Sequence, residues 1–448
     1  MTEKRLWSEI AQRLATCARA PTQAIKQRLV AHGGSGKKVD ASPAIEIAKN
    51  TLLTGGLVLA VGTVTGFVAR KIKVPDIALF LIVGMAMGPA ALGLINIKAD
   101  SALYQIILLF GASYILFDGG ASLRFDVLKK VWITILVLAT LGVVITAVVS
   151  AIAAYAVLGI PWIVALLLGT TIASTDPATL VPIFRQVKIR DRVAQTVMSE
   201  SAFNDATGAI LTVGVMAIAM GTGEFSISAS LFDLLKQSLV GIAAGAALGY
   251  LAALLIAHER WAFLADYAPV VTLVAMIGAY FAADGMQASG FMAVFVSGIF
   301  IGNKDELGFK MPSTEARKLD EFVMTTAFIM RLFIFLLLGA QIDFHLMGQY
   351  WFGGVIVVLI FMLVGRPLTV FLCALPDRRA KWSFNEMLFM CWTRETGVIP
   401  AALAGLLLGM KAPGAPIIAS VTSVAILMTI LIQAPTTKWL AARLGLLK

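Results

Sequence analysis

Long apolar runs separated by short polar connections dominate the chain after residue 50. Their lengths cluster near the roughly 20 residues that an α-helix needs to cross a bilayer, so the pattern predicts an all-α polytopic membrane protein. We count about thirteen spans, with ends uncertain by a few residues and the ninth unusually short. The predicted spans are 51–69, 76–94, 102–119, 131–158, 162–184, 200–220, 231–257, 265–283, 288–302, 322–340, 348–374, 385–409 and 415–437.

Composition and charge agree with this pattern. Hydrophobic residues make up 59% of the chain and charged residues only 14%, while the net charge is +10. The basic residues lie mostly in connections on one side of the predicted membrane, leaving Lys98 and Lys411 on the other. By the positive-inside rule we expect a multi-pass protein of the inner (plasma) membrane, surrounded by lipid, with a cytoplasmic C-terminus and no nucleic-acid partner.

The chain divides into a tail, a membrane domain and a short end. Residues 1–45 form a basic N-terminal tail, either an interfacial amphipathic helix or a loosely ordered solvated segment. The charges of the loops would place this basic tail outside, against the positive-inside rule, so the sequence does not decide on which side of the membrane it lies. The tail also lacks the apolar core of a cleavable signal peptide. Residues 46–440 form the transmembrane domain, and 441–448 a short cytoplasmic C-terminus.

Span five is interrupted by Ser174, Thr175, Asp176 and Pro177. Pro177 has no N–H, so a continuing helix would leave the Ala173 carbonyl without its usual partner. Backbone freed at this depth is tolerated where it lines a buried or watery cavity. Carbonyl, hydroxyl and carboxylate oxygens together suit a small hard cation.

Span twelve repeats the interruption. Pro400 would release the Thr396 carbonyl, Gly397 weakens the helix, and Arg394 and Glu395 bring both signs of charge into the same break. Spans five and twelve are an odd number apart, which places them in opposite orientations. The pattern predicts inverted repeats of six helices with two unwound crossing helices, the arrangement typical of a transporter's binding site.

Span six opens with two carboxylates, Glu200 and Asp205. Ionisable groups are costly in a bilayer, so these acids predict a functional site. For Glu200, the alternative is a position at the water interface. On a helix, Ser201 and Asp205 share one stripe, and Glu200 and Asn204 share the next, so one stripe can bind an ion while the other fixes the amide. Accessory candidates, which line a water path, balance a carboxylate or lie near the interface, are Asp118, Arg331 and Arg366.

The paired motifs resemble a known family. Thr175-Asp176-Pro177, followed by Glu200-Ser201-Ala202-Phe203-Asn204-Asp205, is similar to the sodium/proton antiporters of the NhaP type and their animal exchanger relatives. Further matches are Val74-Pro75-Asp76, Phe117-Asp118-Gly119-Gly120 and Arg366-Pro367, and the resemblance covers about residues 50–440.

The resemblance implies a thirteen-span inverted-repeat fold, usually a homodimer. It makes Asp205 the acid that binds either a monovalent cation or a proton, with Ser201, Asp176 and the backbone oxygen of Thr175 helping to hold the transported ion. Asn204 becomes a scaffold residue held by Glu200 and an arginine of span twelve. An Asn-Asp pair resembles the electroneutral, one-for-one branch of the family.

One departure concerns that arginine. Aligned from Trp392 to Pro400, the sequence has Thr396 where the family has its arginine, and Arg394 two positions earlier. We expect Arg394 to reach Glu200 and Asn204 from the unwound segment. Glu395 and Thr396 then belong to the same scaffold and charge-balancing set.

These features predict a secondary transporter that exchanges Na⁺, Li⁺ or K⁺ for protons by alternating access and so serves pH homeostasis, with no cofactor. A dry site disfavours a charged carboxylate and a bound cation favours it, so proton and cation compete for Asp205. The alternative is a passive cation channel or uniporter. An enzyme is disfavoured because no nucleophile with its base and no metal-ligand set accompanies the carboxylates.

Overall fold

The computed structural model describes the backbone of residues 43–72, 74–97, 101–221, 227–259 and 261–447. The predicted basic tail lies outside the described residues up to residue 42. Backbone contacts divide the chain into two units, Met1–Gly55 and Gly56–Lys448, and the packing discussed below belongs to the second.

Helices account for all the regular secondary structure of the described ranges, which confirms the predicted all-α class; the one β-bridge is an isolated antiparallel pair, Ile189 with Leu447. The helices are α1 Pro43–Ile72, α2 Asp76–Met87, α3 Ala102–Ala121, α4 Phe125–Ala139, α5 Leu141–Leu158, α6 Trp162–Ala173, α7 Pro177–Gln186, α8 Asp191–Ala219, α9 Ile227–Ala257, α10 Ala268–Gly285, α11 Gly290–Gly302, α12 Ser313–Ala340, α13 Phe344–Gln349, α14 Trp351–Ile360, α15 Arg366–Ala374, α16 Phe384–Trp392, α17 Val398–Gly409, α18 Ala415–Met428 and α19 Ala434–Arg443.

Nine helical segments within the described ranges are long and apolar enough to cross a membrane, when α4 with α5, α14 with α15, and α18 with α19 are each counted as one segment. The shorter apolar helices are α2, α6, α11 and α17. Large apolar side chains such as Phe232, Val274 and Leu363 stay exposed on the outside of the protein. Such a surface requires hydrocarbon rather than water around it, as a membrane provides. The count of thirteen spans and the inverted repeat stay predictions.

Prolines shape two of the long helices. Each has a π-helical turn, Phe361–Gly365 or Thr429–Gln433, immediately before a helix with proline in its first turn. Proline removes a backbone donor and crowds the preceding turn, so the widened turn accommodates it. Arg366 directly follows the first π-turn and Gln433 ends the second, so these irregular turns position two buried polar side chains.

Two groups of helices pack more closely within themselves than with each other. We call α4–α8 with α14–α19 the site bundle, because it contains both interruptions. We call α2, α3 and α9–α12 the flanking panel. Within the panel, α2 and α12 approach so closely at Gly84 and Gly339 that a Cβ at either position would overlap the other backbone. Small residues allow this packing where lipid supplies no hydrophobic driving force.

The connections of the site bundle are tied together at one end. Arg192 in the first turn of α8 lies 3.2 Å from Glu386 in the first turn of α16, measured from Nε to Oε1. The Arg190 N–H donates to the Leu446 carbonyl at 3.0 Å, next to the Ile189–Leu447 bridge. The segment predicted as a short C-terminal end therefore packs on the connection between α7 and α8.

Candidate functional site

The first interruption separates α6 from α7. Helix α6 ends at Ala173, Ser174 is extended, and α7 starts at Pro177. The backbone N–H of Thr175 donates to Asn204 Oδ1 at 3.1 Å, and that of Asp176 donates to the Glu395 carbonyl at 2.9 Å. Residues from the two interruptions are thus directly hydrogen-bonded.

The second interruption separates α16 from α17 over residues 393–397. The first N–H of α17, on Val398, donates to Asp176 Oδ2 at 2.8 Å. The same oxygen accepts from the Thr179 hydroxyl, in the first turn of α7, at 3.1 Å. The Asp176 carboxylate therefore caps the N-terminus of α17 and lies at the N-terminus of α7, where the partial positive charge of each helix favours a carboxylate.

Helix α8 contributes the predicted motif from its middle. It begins at Asp191, well before the predicted span, because its first turns are polar but packed against the connections of the site bundle. Glu200 and Asp205 consequently lie deep inside the helix rather than at its head, with 1% and 5% of their surfaces exposed. Both carboxylates are therefore buried within the fold.

Asn204 and Ser201 are joined to the first interruption through one threonine. The Asn204 amide nitrogen donates to the Thr175 hydroxyl at 2.8 Å, and that hydroxyl donates to Ser201 Oγ at 2.8 Å. Because Asn204 also accepts from the Thr175 N–H, its amide group is bound at both ends. The resemblance implied that Glu200 and an arginine hold Asn204, whereas in the structure Thr175 makes these hydrogen bonds.

Asp205 lies on the side of α8 that faces Ser174. Gly208, one turn further along the helix, packs so close to Ser174 that a Cβ there would be 2.9 Å from the serine Cβ. Both Asp205 carboxylate oxygens and the Ser174 hydroxyl lack a hydrogen-bond partner among the described residues. Asp176 is near enough to Asp205 to interact with it electrostatically. The arrangement leaves one buried acid without a partner beside several oxygen atoms.

Glu200 is paired with an arginine that the sequence analysis named only as an accessory candidate. Arg366 Nη1 and Nη2 donate to the two Glu200 carboxylate oxygens at 2.5 and 2.8 Å, and Arg366 Nε donates to the Met390 carbonyl at 2.9 Å. The guanidinium is fully buried. Arg366 is therefore the buried partner that sequence reasoning sought in span twelve.

Arg394 lies elsewhere, so its expected contact with Glu200 and Asn204 is not present. Its guanidinium donates to the Thr146 hydroxyl at 3.0 Å and to the Ala173 carbonyl, and lies 4.9 Å from the centre of the Phe361 ring. Ala173 is the residue whose carbonyl Pro177 was expected to release. Arg394 thus neutralises the end of α6 instead of completing the pair with Glu200.

Glu395 and Thr396 lie beside Arg394 in the second interruption, and both are fully buried. The Thr396 N–H donates to Thr429 Oγ1 at 3.1 Å. The Glu395 carboxylate and the Thr396 hydroxyl have no hydrogen-bond partner in the described part of the chain. Sequence reasoning did not single out Thr146 or Thr429, since a threonine in an apolar span carries no distinctive signal.

The remaining accessory candidates belong to the flanking panel. Arg331 lies 3.9 Å from Asp76, measured from Nη2 to Oδ2, so it joins α12 to α2. Asp118 is buried and lines a cavity of about 360 Å³ together with Thr272, Lys304 and Asp320. The residues lining that cavity belong to the panel and the α11–α12 connection, so it is separate from the two interruptions.

Two interrupted helices joined around buried carboxylates, inside an apolar helical bundle, define an ion-coupled membrane transporter. The family model described as "sodium/hydrogen exchanger, transmembrane" matches residues 56–443. The chain therefore belongs to the sodium/hydrogen exchanger family, a family of transporters rather than enzymes, as the motifs predicted.

Individual relatives agree with this assignment. The chain is 34% identical over 359 residues to Na⁺/H⁺ antiporter 1 of Methanocaldococcus jannaschii, covering 78% of this chain and 81% of that one. It is 29% identical over 414 residues to the K⁺/H⁺ antiporter NhaP of Alkalimonas amylolytica, covering 88% and 68%. The solved structure of a sodium proton antiporter from M. jannaschii is similar with a TM-score of 0.69 and 29% identity, over 88% of this chain and 99% of that chain.

Proposed function

We propose that this protein exchanges a monovalent cation for protons one for one, with Asp205 as the shared site. The observation that carries the proposal is the Asp205 carboxylate, 5% exposed and without a hydrogen-bond partner among the described residues. An ionised carboxylate so placed is costly unless a cation or a proton neutralises it.

The surrounding oxygen atoms support a cation at this position. Ser201 and Thr175 present hydroxyl groups, Ser174 presents another without a partner, and Asp176 adds a nearby negative charge. Oxygen ligands of this kind suit Na⁺, Li⁺ and K⁺. Because Asn204 is uncharged and bound to Thr175, Asp205 is the only acid of its pair, which supports an electroneutral exchange of one cation for one proton.

Coupling follows if only the neutralised site changes its accessibility. A bound cation stabilises the charged carboxylate and a proton replaces it, so the two ligands exclude each other. The site bundle would then move against the flanking panel, exposing Asp205 alternately to the two sides. We place the protein in the inner membrane, with its C-terminus cytoplasmic, and expect a homodimer.

Replacing Asp205 by asparagine tests this proposal. We expect Asp205→Asn to abolish cation-driven proton movement in proteoliposomes because the variant cannot exchange a proton for a cation. Asp266→Asn, an exposed acid next to α10, serves as the matched control and should transport normally. Transport should be measured with Na⁺, Li⁺ and K⁺ at zero membrane potential.

Two results would contradict the proposal. Substantial exchange by a well-folded Asp205→Asn protein would remove Asp205 from the shared site. Cation flux without coupled proton movement in the unmodified protein would instead indicate a passive channel or uniporter.

A further inference from the structure

The buried charges around the two interruptions do not balance. The ionisable side chains there are Asp176, Glu200, Asp205, Arg366, Arg394 and Glu395, each at most 5% exposed. Arg366 binds Glu200 through two hydrogen bonds. The Asp176 carboxylate lies at two helix N-termini, each of which carries about half a positive charge. In the described part of the chain, neither the Asp205 nor the Glu395 carboxylate has a hydrogen-bond partner.

Arg394 does not compensate Glu395, although the two are adjacent in sequence. Its guanidinium donates to Thr146 and to the Ala173 carbonyl, where α6 ends with partial negative charge. The other buried arginine of the site, Arg366, is already bound to both oxygens of the Glu200 carboxylate. The Glu395 carboxylate therefore needs a further positive charge.

Unpartnered oxygen and nitrogen atoms accompany Glu395 along the last long helix. Trp392 Nε1 donates to Thr436 Oγ1 at 2.9 Å, and the Thr396 N–H donates to Thr429 Oγ1 at 3.1 Å. These bonds align residues 392–396 with residues 429–436. Glu395 lies between Trp392 and Thr396 in the first segment, and Gln433 lies between Thr429 and Thr436 in the second. The Gln433 amide is fully buried and has no hydrogen-bond partner among the residues described.

We propose that Glu395, Thr396 and Gln433 form a second site for a monovalent cation, separate from the carboxylate of Asp205. The carboxylate, the hydroxyl and the amide oxygen supply the hard oxygen ligands that such an ion requires. The ion supplies the charge that Glu395 lacks. The second site goes beyond the proposed exchange, which needs one cation on Asp205 only.

Equilibrium binding of radioactive Na⁺ to the purified full-length protein in detergent tests this site, at constant ionic strength set with a large organic cation. We expect two saturable Na⁺ ions per chain in the unmodified protein. Glu395→Gln should bind one and Asp205→Asn should bind one. The matched control Glu259→Gln, at an exposed position after α9, should bind two.

Variants of the amide separate ligation from folding. Gln433→Leu should weaken the Na⁺ affinity of the second site about tenfold or more, whereas Gln433→Glu should retain Na⁺ binding there. Gln349→Leu, at an exposed position, should leave Na⁺ binding at both sites unchanged. All variants should elute as monodisperse species before binding is measured.

The two assignments fail in different ways. One saturable ion in the unmodified protein, lost in Asp205→Asn and retained in Glu395→Gln, would overturn the second site and show a neutral Glu395 carboxyl. Normal exchange by Asp205→Asn together with loss of one ion in Glu395→Gln would overturn the proposed function and leave the second site standing.

Discussion

At the scale of single residues, the buried Glu200–Arg366 pair is the strongest ionic contact of the candidate site. Both oxygens of the carboxylate accept from one guanidinium, with 2% of the Glu200 side chain and 0% of the Arg366 side chain exposed. Bidentate geometry is specific to arginine. The pair joins α8 to α15, and Arg366 Nε extends the contact to α16 through Met390, so it fixes the helix that carries Asp205.

Removing one partner should therefore destabilise the protein strongly. We expect Glu200→Gln or Arg366→Gln to lower the free energy of unfolding by about 3–5 kcal/mol, because each leaves a buried charge unpaired. The loss of unfolding free energy in the double variant should be smaller than the sum of the losses in the two single variants. Denaturant titration in detergent, followed by circular dichroism, measures these differences.

An exposed ion pair provides the comparison. Arg317 and Glu321 lie 3.8 Å apart with about three quarters of each side chain exposed. Their substitution by glutamine should cost less than about 1 kcal/mol. Equal losses for the buried and exposed pairs would contradict the structural role given to Arg366.

At the scale of elements, Asp176 connects two helix starts that are far apart in sequence. It accepts from Val398 at the start of α17 and from Thr179 in the first turn of α7. Gly397 makes this contact possible, because a Cβ at that position would overlap the Asp176 carboxylate. The glycine that appears in sequence as a weak point of a helix is thus the place where the two interruptions touch.

We expect Gly397→Ala to separate the interruptions, slowing exchange at least about tenfold and costing about 1–3 kcal/mol of stability through overpacking. Gly405→Ala, in the same helix α17, is the control, since a Cβ there meets nothing within 4 Å. That variant should transport normally and be as stable or slightly more stable. Transport in proteoliposomes and thermal unfolding of the same preparations measure both effects.

At the scale of the whole molecule, apolar side chains make close contacts between the site bundle and the flanking panel. Phe203 of α8 packs against Phe295 of α11, with ring centres 6.2 Å apart and the planes nearly perpendicular. Gly119 of α3 packs against Val181 of α7. Surfaces of this kind can slide without breaking buried ion pairs, as alternating access requires.

Cross-linking across this boundary should stop transport. Phe203→Cys with Phe295→Cys, in a chain whose native cysteines are alanine, should lose exchange when joined by a short cleavable linker and regain it on cleavage. Phe80→Cys with Phe328→Cys joins α2 to α12 inside the panel, where the rings are 6.1 Å apart, and should leave exchange unchanged. Full activity of the protein linked at 203 and 295 would reject relative movement of the two groups.

Much of this protein follows from the sequence, because the bilayer limits what an apolar chain can do. Span length, the two proline interruptions and the acids of span six depend on local rules, so they predicted a helical membrane protein, the family and the residues of the candidate site. The contacts of Arg366, Arg394 and Asp176 were decided only by the tertiary structure. Arg366 and Arg394 are both arginines inside apolar spans, and the partner of each depends on which helices pack together. Packing of residues distant in sequence placed Arg366 on Glu200 and directed Arg394 to the end of α6. Among the described residues, it left the Asp205 and Glu395 carboxylates without a hydrogen-bond partner.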